Sequence, residues 1–150
     1  MIMADELLTI ERVAVLQRVA MFSTVPGHIL AGVARLLEEV RVGVGVTFIE
    51  RGAIEDWLFV VAEGRVRAHA GERTLAERGP GAVVGELAVL APAPRSASVT
   101  AIEPTLLLRL RRAPFEELLD DRPEIARAVI ASLAKRLQDL ADEDAGVQGS

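Results

Sequence analysis

Residues 83–101 read VVGELAVLAPAPRSASVTA, and two charged side chains stand out in this otherwise apolar, small-residue stretch. Glu86 is its only acid, and Arg95, nine residues later, is its only base. Pro92 and Pro94 separate the two. A strand that only fills a core does not carry lone charges, because burying an unpaired charge is costly. The stretch is therefore the first candidate for a binding site.

The backbone around Glu86 is suited to an anion. Residues 85–88 follow an apolar segment and can open a short helix, whose first turn leaves backbone N–H groups unpaired. Gly85 lets a ligand approach closely, and Arg95 has the planar fork that matches phosphate oxygens. Glu86 can only accept hydrogen bonds, which suits a sugar hydroxyl on the same ligand. The pair indicates a ribose phosphate; the alternative is that Glu86 only stabilises a helix end and Arg95 is solvated.

Strand-like segments surround this stretch between residues 40 and 112. They are separated by Gly, Pro and charged turns at intervals of about eight to twelve residues, which is typical of an antiparallel barrel or sandwich. The segments are VTFI, WLFVVA, RVRAH, RTLAE, AVVG, SASVTAI and TLLLRL.

Helical patterns flank these segments on both sides. Apolar residues recur at three- and four-residue spacing before residue 40, and a short helix is predicted over residues 113–120. Pro123 suits the first turn of a last helix. That helix has an apolar stripe formed by Ile125, Val129, Leu133, Leu137 and Leu140. The predicted fold class is α+β and mainly β, an antiparallel β-roll with flanking helices.

The chain is predicted to be one domain, because 150 residues is a usual single-domain size. Its parts, in order, are an N-terminal helical segment, a β-roll, two C-terminal helices and a disordered tail. Their predicted bounds are residues 1–39, 40–112, 113–143 and 144–150.

Composition excludes several classes of protein. An apolar fraction of 51% rules out a disordered chain, and the absence of cysteine rules out disulfides and thiolate chemistry. Two histidines are too few for the metal centre of a cupin-like enzyme. The net charge of −5 argues against nucleic acid as a partner. The longest charge-free run, residues 19–34, is too short to span a membrane. We therefore expect a cytoplasmic binding protein with no catalytic role, metal or cofactor.

The segments GELAVL and PRSASV resemble the phosphate-binding cassette of the cyclic nucleotide-binding domain family. Catabolite-activator-type regulators, protein kinase A regulatory subunits and cyclic-nucleotide-gated channels contain this domain. The similarity extends over roughly residues 19–140 and includes VAMFSTVP, WLFVVAEGRVR and GPGAVVGE. Its specific part is the nine-residue step from the acid to the arginine, followed by small residues.

The resemblance implies roles for the residues of the cassette, residues 83–99. Glu86 would accept a hydrogen bond from the ribose 2′-hydroxyl, and Arg95 would pair with the cyclic phosphate beside Gly85. The anion site would be completed by the backbone N–H groups of Leu87, Ala88, Ser96 and Ala97.

The resemblance also implies a pocket for the base. Ala68 and Leu75 would be apolar wall positions beside it. Arg136 matches a position that can pair with the cassette acid in some members, and Leu137 and Leu140 would form a lid over the purine.

Three features depart from the family pattern. Glu55, in RGAIED, stands where a glycine is common, and we expect it to alter one exposed turn and not the pocket. Leu140 and Ala141 stand where catabolite-activator-type proteins place hydroxyl residues, which leaves both cAMP and cGMP open as ligands. No helix-turn-helix for reading DNA follows the last helix in this sequence.

The sequence therefore predicts a sensor domain for a cyclic nucleotide, cAMP or cGMP. Ligand would draw the C-terminal helix over the pocket and relay binding to an output partner outside this chain, with a membrane transporter as one example. The alternative is a family member with a degenerate cassette that acts as a structural or protein-interaction module. A nucleotide titration distinguishes the two.

Overall fold

The structure is a computed structural model that describes residues 8–149. For residue 87 and for residues 146–149 it describes only the backbone. The N-terminal part has α1 (Thr9–Leu16), a 3₁₀ turn (Ala20–Phe22) and α2 (Gly27–Ala34). The strands before the cassette are β1 (Glu38–Val42), β2 (Thr47–Ile49), β3 (Ile54–Glu55), β4 (Trp57–Glu63), β5 (Val66–Ala70), β6 (Arg73–Arg78) and β7 (Val83–Val84). The remaining elements are a 3₁₀ turn (Glu86–Val89), β8 (Ala93–Pro94), β9 (Ser98–Ala101), β10 (Thr105–Arg111), α3 (Arg112–Asp121) and α4 (Pro123–Gly149).

The strands form an antiparallel roll. One sheet has the order β1-β10-β4-β7 and the other the order β2-β9-β5-β6, while β3 and β8 pair as a small third sheet. Every pairing in these sheets is antiparallel. The predicted fold class, a mainly β roll with flanking helices, is confirmed.

Strand β4 explains how the two layers of the core are joined. Leu58 and Val60 pack into a cluster shared with the helices, whereas Phe59 and Val61 pack into a cluster between the sheets. Successive side chains of a strand point to opposite faces, so both faces of β4 are covered. This double burial explains why WLFVV is a continuous apolar run instead of an alternating one.

Helices α3 and α4 are attached through the first of these clusters. Phe22 and Phe115 meet edge to face, with ring centroids 5.8 Å apart. Ile125 and Val129, on the first turns of α4, are buried in the same cluster. The start of α4 at Pro123 is confirmed. No helix within residues 8–149 has both the length and the apolar character needed to cross a membrane.

Two predicted boundaries differ from the structure. The helix expected to run to residue 39 ends at Ala34, where the Arg12 guanidinium donates to the carbonyl oxygens of Ala34 and Leu37 at 3.3 and 2.8 Å. Residue 38 then joins β10 as the start of β1. The tail predicted to be disordered, residues 144–150, is helical as far as Gly149 as a continuation of α4. Residues 1–7 and 150 lie outside the described part of the chain.

Candidate functional site

A cavity of about 730 Å³ lies against the cassette. Its walls come from β5, β6, β7 and β9, from the 3₁₀ turn at Glu86, and from Arg136 of α4. Most of the predicted site residues meet here, namely Ala68, Gly85, Glu86, Ala88, Arg95, Ser96, Ala97 and Arg136. Residues distant in sequence therefore form one concave surface.

Three predicted base-pocket residues lie outside this cavity. Leu75, on β6, is 49% exposed, and its neighbour Ala76 lines the wall instead, because alternate residues of a strand face opposite sides. Leu137 and Leu140 line a second, apolar pocket of about 360 Å³. This second pocket is shared with Ala20, Glu86, Leu133 and Arg136.

Arg95 is buried although it is charged, with only 6% of its side chain exposed. Its Nε donates to Oε1 of Glu55 at 2.8 Å, and its Nη2 donates to the carbonyl oxygen of Trp57 at 2.5 Å. Its Nη1 is buried without a hydrogen-bond partner among the described residues. A buried guanidinium N–H group without a partner is unusual, because most buried polar groups are hydrogen-bonded, and this marks Arg95 as a candidate functional residue.

Position 85 needs a glycine for two reasons, its backbone conformation and the closeness of the Arg95 guanidinium. Its φ of +72° is one that side-chain-bearing residues rarely adopt. A Cβ atom at this position would lie 1.5 Å from Nη1 of Arg95. The glycine of the cassette therefore makes room for the guanidinium.

Glu86 links the cassette to the helical segments. Its Oε1 accepts a hydrogen bond from the backbone N–H of Met21 at 2.8 Å. The preceding residue, Ala20, accepts a hydrogen bond from Oγ of Ser132 on α4 at 2.9 Å. Two adjacent backbone groups thus join the cassette acid to the last helix. Arg136 lines both pockets with Glu86, but no ion pair joins them in the described structure.

The expected backbone donors differ in availability. The N–H of Ala88 donates to the carbonyl oxygen of Gly85 at 3.0 Å within the 3₁₀ turn. The N–H groups of Ser96 and Ala97 form no hydrogen bond within residues 8–149. The donor expected at residue 87 is its backbone N–H, and the backbone of this residue lies in the 3₁₀ turn that begins at Glu86.

The sequence profile of the cyclic nucleotide-binding domain family matches residues 39–122, which is more than half of the 150-residue chain. The chain belongs to the cyclic nucleotide-binding domain family. Members of this family are regulatory sensor domains. Residues 8–149 contain no group of acidic and histidine side chains able to hold a metal ion.

Individual relatives of this cyclic nucleotide-binding domain agree with that assignment. The chain is 40% identical over 100 residues to a cyclic AMP receptor protein of Thermus thermophilus, and the match covers 63% of this chain and 46% of that protein. It is 35% identical over 108 residues to a cyclic nucleotide-gated potassium channel of Mesorhizobium japonicum, covering 72% of this chain and 30% of the channel. The chain thus spans less than half the length of these two curated relatives.

Among solved structures, this cyclic nucleotide-binding domain is similar to the N-terminal domain of a transcriptional regulator from Streptomyces coelicolor A3(2). The two superpose with a TM-score of 0.78 at 34% sequence identity. The similarity covers 86% of this chain and 94% of that domain.

Glu55 is the principal site residue that the sequence interpretation placed wrongly. It was expected to affect only an exposed turn, but its side chain is only 15% exposed and its carboxylate pairs with Arg95. The cause is the pairing of β3 with β8, which sets Ile54 opposite Pro94 and Glu55 opposite Ala93. The departure of RGAIED from the family pattern was the signal, but a two-residue strand has no periodicity by which to place it.

Two further arginines on the cavity wall, Arg18 and Arg78, were not predicted, and they lie there with the predicted Arg136. Arg18, Arg78 and Arg136 line the cavity and have no ion-pair partner in the described structure. They give the cavity a cationic lining within a chain whose net charge is −5. Such a lining favours an anionic guest over a neutral one.

Proposed function

We propose that this chain is a cytoplasmic sensor domain for a purine 3′,5′-cyclic nucleotide, cAMP or cGMP, and that it has no enzymatic activity. The observation that carries the proposal is Arg95, a nearly buried arginine that lines a large cavity beside Gly85 and whose Nη1 has no hydrogen-bond partner in the described structure. A phosphate oxygen is the acceptor that this arrangement fits, because Arg–phosphate contacts are charge-assisted and directional.

The ribose would be held by Glu86. One carboxylate oxygen is fixed by the N–H of Met21, and the other has no partner within residues 8–149. A carboxylate only accepts hydrogen bonds, so the free oxygen suits a 2′-hydroxyl. The free N–H groups of Ser96 and Ala97 would add contacts to the phosphate.

The signal would leave through α4. Ligand at Glu86 acts on the hydrogen bonds that run through Met21 and Ala20 to Ser132. Leu137 and Leu140, which are 68% and 41% exposed, lie beside the apolar pocket next to Glu86. Closing this end of α4 over a bound purine would bury apolar surface and favour the bound arrangement. An output domain or partner protein outside this chain, such as a membrane transporter, would respond to the closed helix.

A second function is supported by one observation. The charge of Arg95 is already balanced by Glu55, as in a module that holds its cassette closed without a ligand. Calorimetric titration of the wild-type chain with cAMP, cGMP and 5′-AMP separates the two functions. We expect saturable binding of at least one cyclic nucleotide and much weaker binding of 5′-AMP. Absence of heat with both cyclic nucleotides at millimolar concentration would refute the sensor and favour the module.

A further inference from the structure

The ion pair between Glu55 and Arg95 is built into the backbone. Strands β3 and β8 bring the two residues together, and the ends of the pairing are closed by two more hydrogen bonds. The N–H of Arg95 donates to the carbonyl oxygen of Ala53 at 2.9 Å, and the N–H of Gly52 donates to the carbonyl oxygen of Arg95 at 2.8 Å. Glu55 and Arg95 are 15% and 6% exposed. This is therefore a fixed internal contact and not a meeting of mobile surface side chains.

The same contact occupies the N–H groups that a phosphate needs. A bidentate contact requires two adjacent N–H groups of the guanidinium. Nε is bonded to Glu55, Nη2 is bonded to the Trp57 carbonyl, and Nη1 has no solvent access beside Gly85. In this arrangement Arg95 cannot offer a free pair of donors to the cavity.

We propose that Glu55 is an internal competitor of the ligand phosphate for Arg95, and that it thereby sets the nucleotide affinity of the cassette. The proposal rests on the function proposed above. Without ligand, the Glu55 carboxylate takes the role of the counter-ion. A bound cyclic phosphate takes over Nε of Arg95, and Glu55 gives up that hydrogen bond.

Local charge favours this competition. The Glu55 carboxylate already pairs with Arg95, and a cyclic phosphate brings a further negative charge to the same guanidinium. Like charges in a partly buried site repel one another strongly because water screens them poorly. Neutralising Glu55 removes both a competitor for Arg95 and a source of repulsion. The opposite view, that Glu55 only orients Arg95 for the ligand, predicts the opposite change in affinity.

The test is the affinity of Glu55→Gln for cAMP and cGMP, measured by calorimetry beside the wild type. Glutamine keeps the size of the side chain and can still accept from Nε, but it carries no charge. We expect binding about tenfold tighter than in the wild type, which corresponds to roughly 1.4 kcal/mol. The matched control is Glu50→Gln, which removes one charge from an exposed side chain without an ion pair in the described structure. It should bind with wild-type affinity.

Each outcome distinguishes the proposals. If the wild type binds cyclic nucleotide and Glu55→Gln binds it equally or more weakly, the proposal that Glu55 is a competitor is refuted. The proposed sensor function then stands. If the wild type fails and Glu55→Gln binds, the competitor proposal is supported, and the wild-type chain is the module and not the sensor. If neither binds, the sensor is refuted and the competitor with it. Should Glu55→Gln not fold, Glu55→Asp decides, because it keeps the charge but shortens the reach to Arg95: tighter binding supports the competitor, and unchanged or weaker binding refutes it.

Discussion

The phosphate end and the lid end of this domain are held in opposite ways. At the phosphate end, Arg95 is nearly inaccessible and is fixed by Glu55, by the Trp57 carbonyl and by the space above Gly85. At the lid end, residues 134–145 of α4 are exposed and pack against no core cluster in the described structure. Segments with few buried contacts open most easily. We infer that the phosphate end, called here the fixed end, recognises the ligand. The lid end, called here the loose end, reports that the ligand has bound.

The largest effect is expected from Arg95→Gln at the fixed end. It removes the proposed phosphate contact and leaves the partly buried carboxylate of Glu55 without its counter-ion. We expect nucleotide affinity to fall by about a hundredfold, since a hydrogen bond to a charged group contributes on the order of 1.5–3 kcal/mol. Unfolding in urea should show a loss of about 3 kcal/mol of stability.

The control for this variant is Arg73→Gln, which changes an exposed arginine on β6 outside the cavity. It should match the wild type in both measurements. If Arg95→Gln binds cyclic nucleotide as tightly as the wild type, Arg95 does not hold the phosphate.

A smaller but still large effect is expected from Gly85→Ala. The new Cβ would collide with Nη1 of Arg95, so the guanidinium must leave its position. Gly45→Ala is the matched control, because Gly45 has a similar φ of +85° but no atom within 4 Å of its added Cβ. Both variants should lose about 1 kcal/mol of stability from backbone strain, and Gly85→Ala should lose more because Arg95 is displaced from Glu55. Only Gly85→Ala should also lose nucleotide affinity, by roughly tenfold, the equivalent of 1.4 kcal/mol. Equal affinities in the two variants would show that Arg95 and the cavity are not coupled through this glycine.

Glu86→Gln and Glu86→Ala examine the ribose contact between the two ends. The wild type should bind 2′-deoxy-cAMP about tenfold more weakly than cAMP, because a hydrogen bond to a carboxylate is lost. In Glu86→Ala this ratio should approach one. Glu86→Gln keeps an acceptor for the Met21 N–H and should give an intermediate ratio. A ratio that is the same in all three proteins would mean that Glu86 only joins the cassette to the 3₁₀ turn at Ala20.

The smallest effect is expected from Leu137→Ala at the loose end. This side chain is 68% exposed, so stability should change by no more than about 0.5 kcal/mol. Affinity should fall by about two- to fivefold through a faster dissociation rate, since most affinity changes act on that rate. Ile125→Ala is the contrasting variant on the same helix, because its fully buried side chain should cost about 2–5 kcal/mol of stability. A large stability loss in Leu137→Ala would contradict the difference between the ends.

The sequence predicted the fixed end better than the loose end. The strand spacing gave the roll, and the spacing of Glu86 and Arg95 led to side chains that share one cavity. Neither result needed knowledge of distant pairings. Glu55 was misplaced because its position depends on β3 meeting β8, a contact across about forty residues that leaves no periodic trace.

The loose end was harder to predict for a different reason. An apolar stripe on a helix indicates that the helix buries a face, but not which turns bury it. Ile125 and Val129 enter the core, whereas Leu137 and Leu140 stay largely exposed. The apolar stripe is continuous in the sequence, and only packing in the folded domain determines which of its residues are buried.

The most direct test of the whole account is hydrogen exchange of the wild-type chain with and without saturating cAMP. We expect the amides of residues 85–97 and of residues 135–141 to slow markedly when the nucleotide is added. Amides in the turns around Ile125, already packed in the core, should keep their rates. If residues 135–141 exchange equally in both conditions while residues 85–97 slow, α4 is a static support and the signal does not leave through it. If neither region changes, the domain does not sense cAMP.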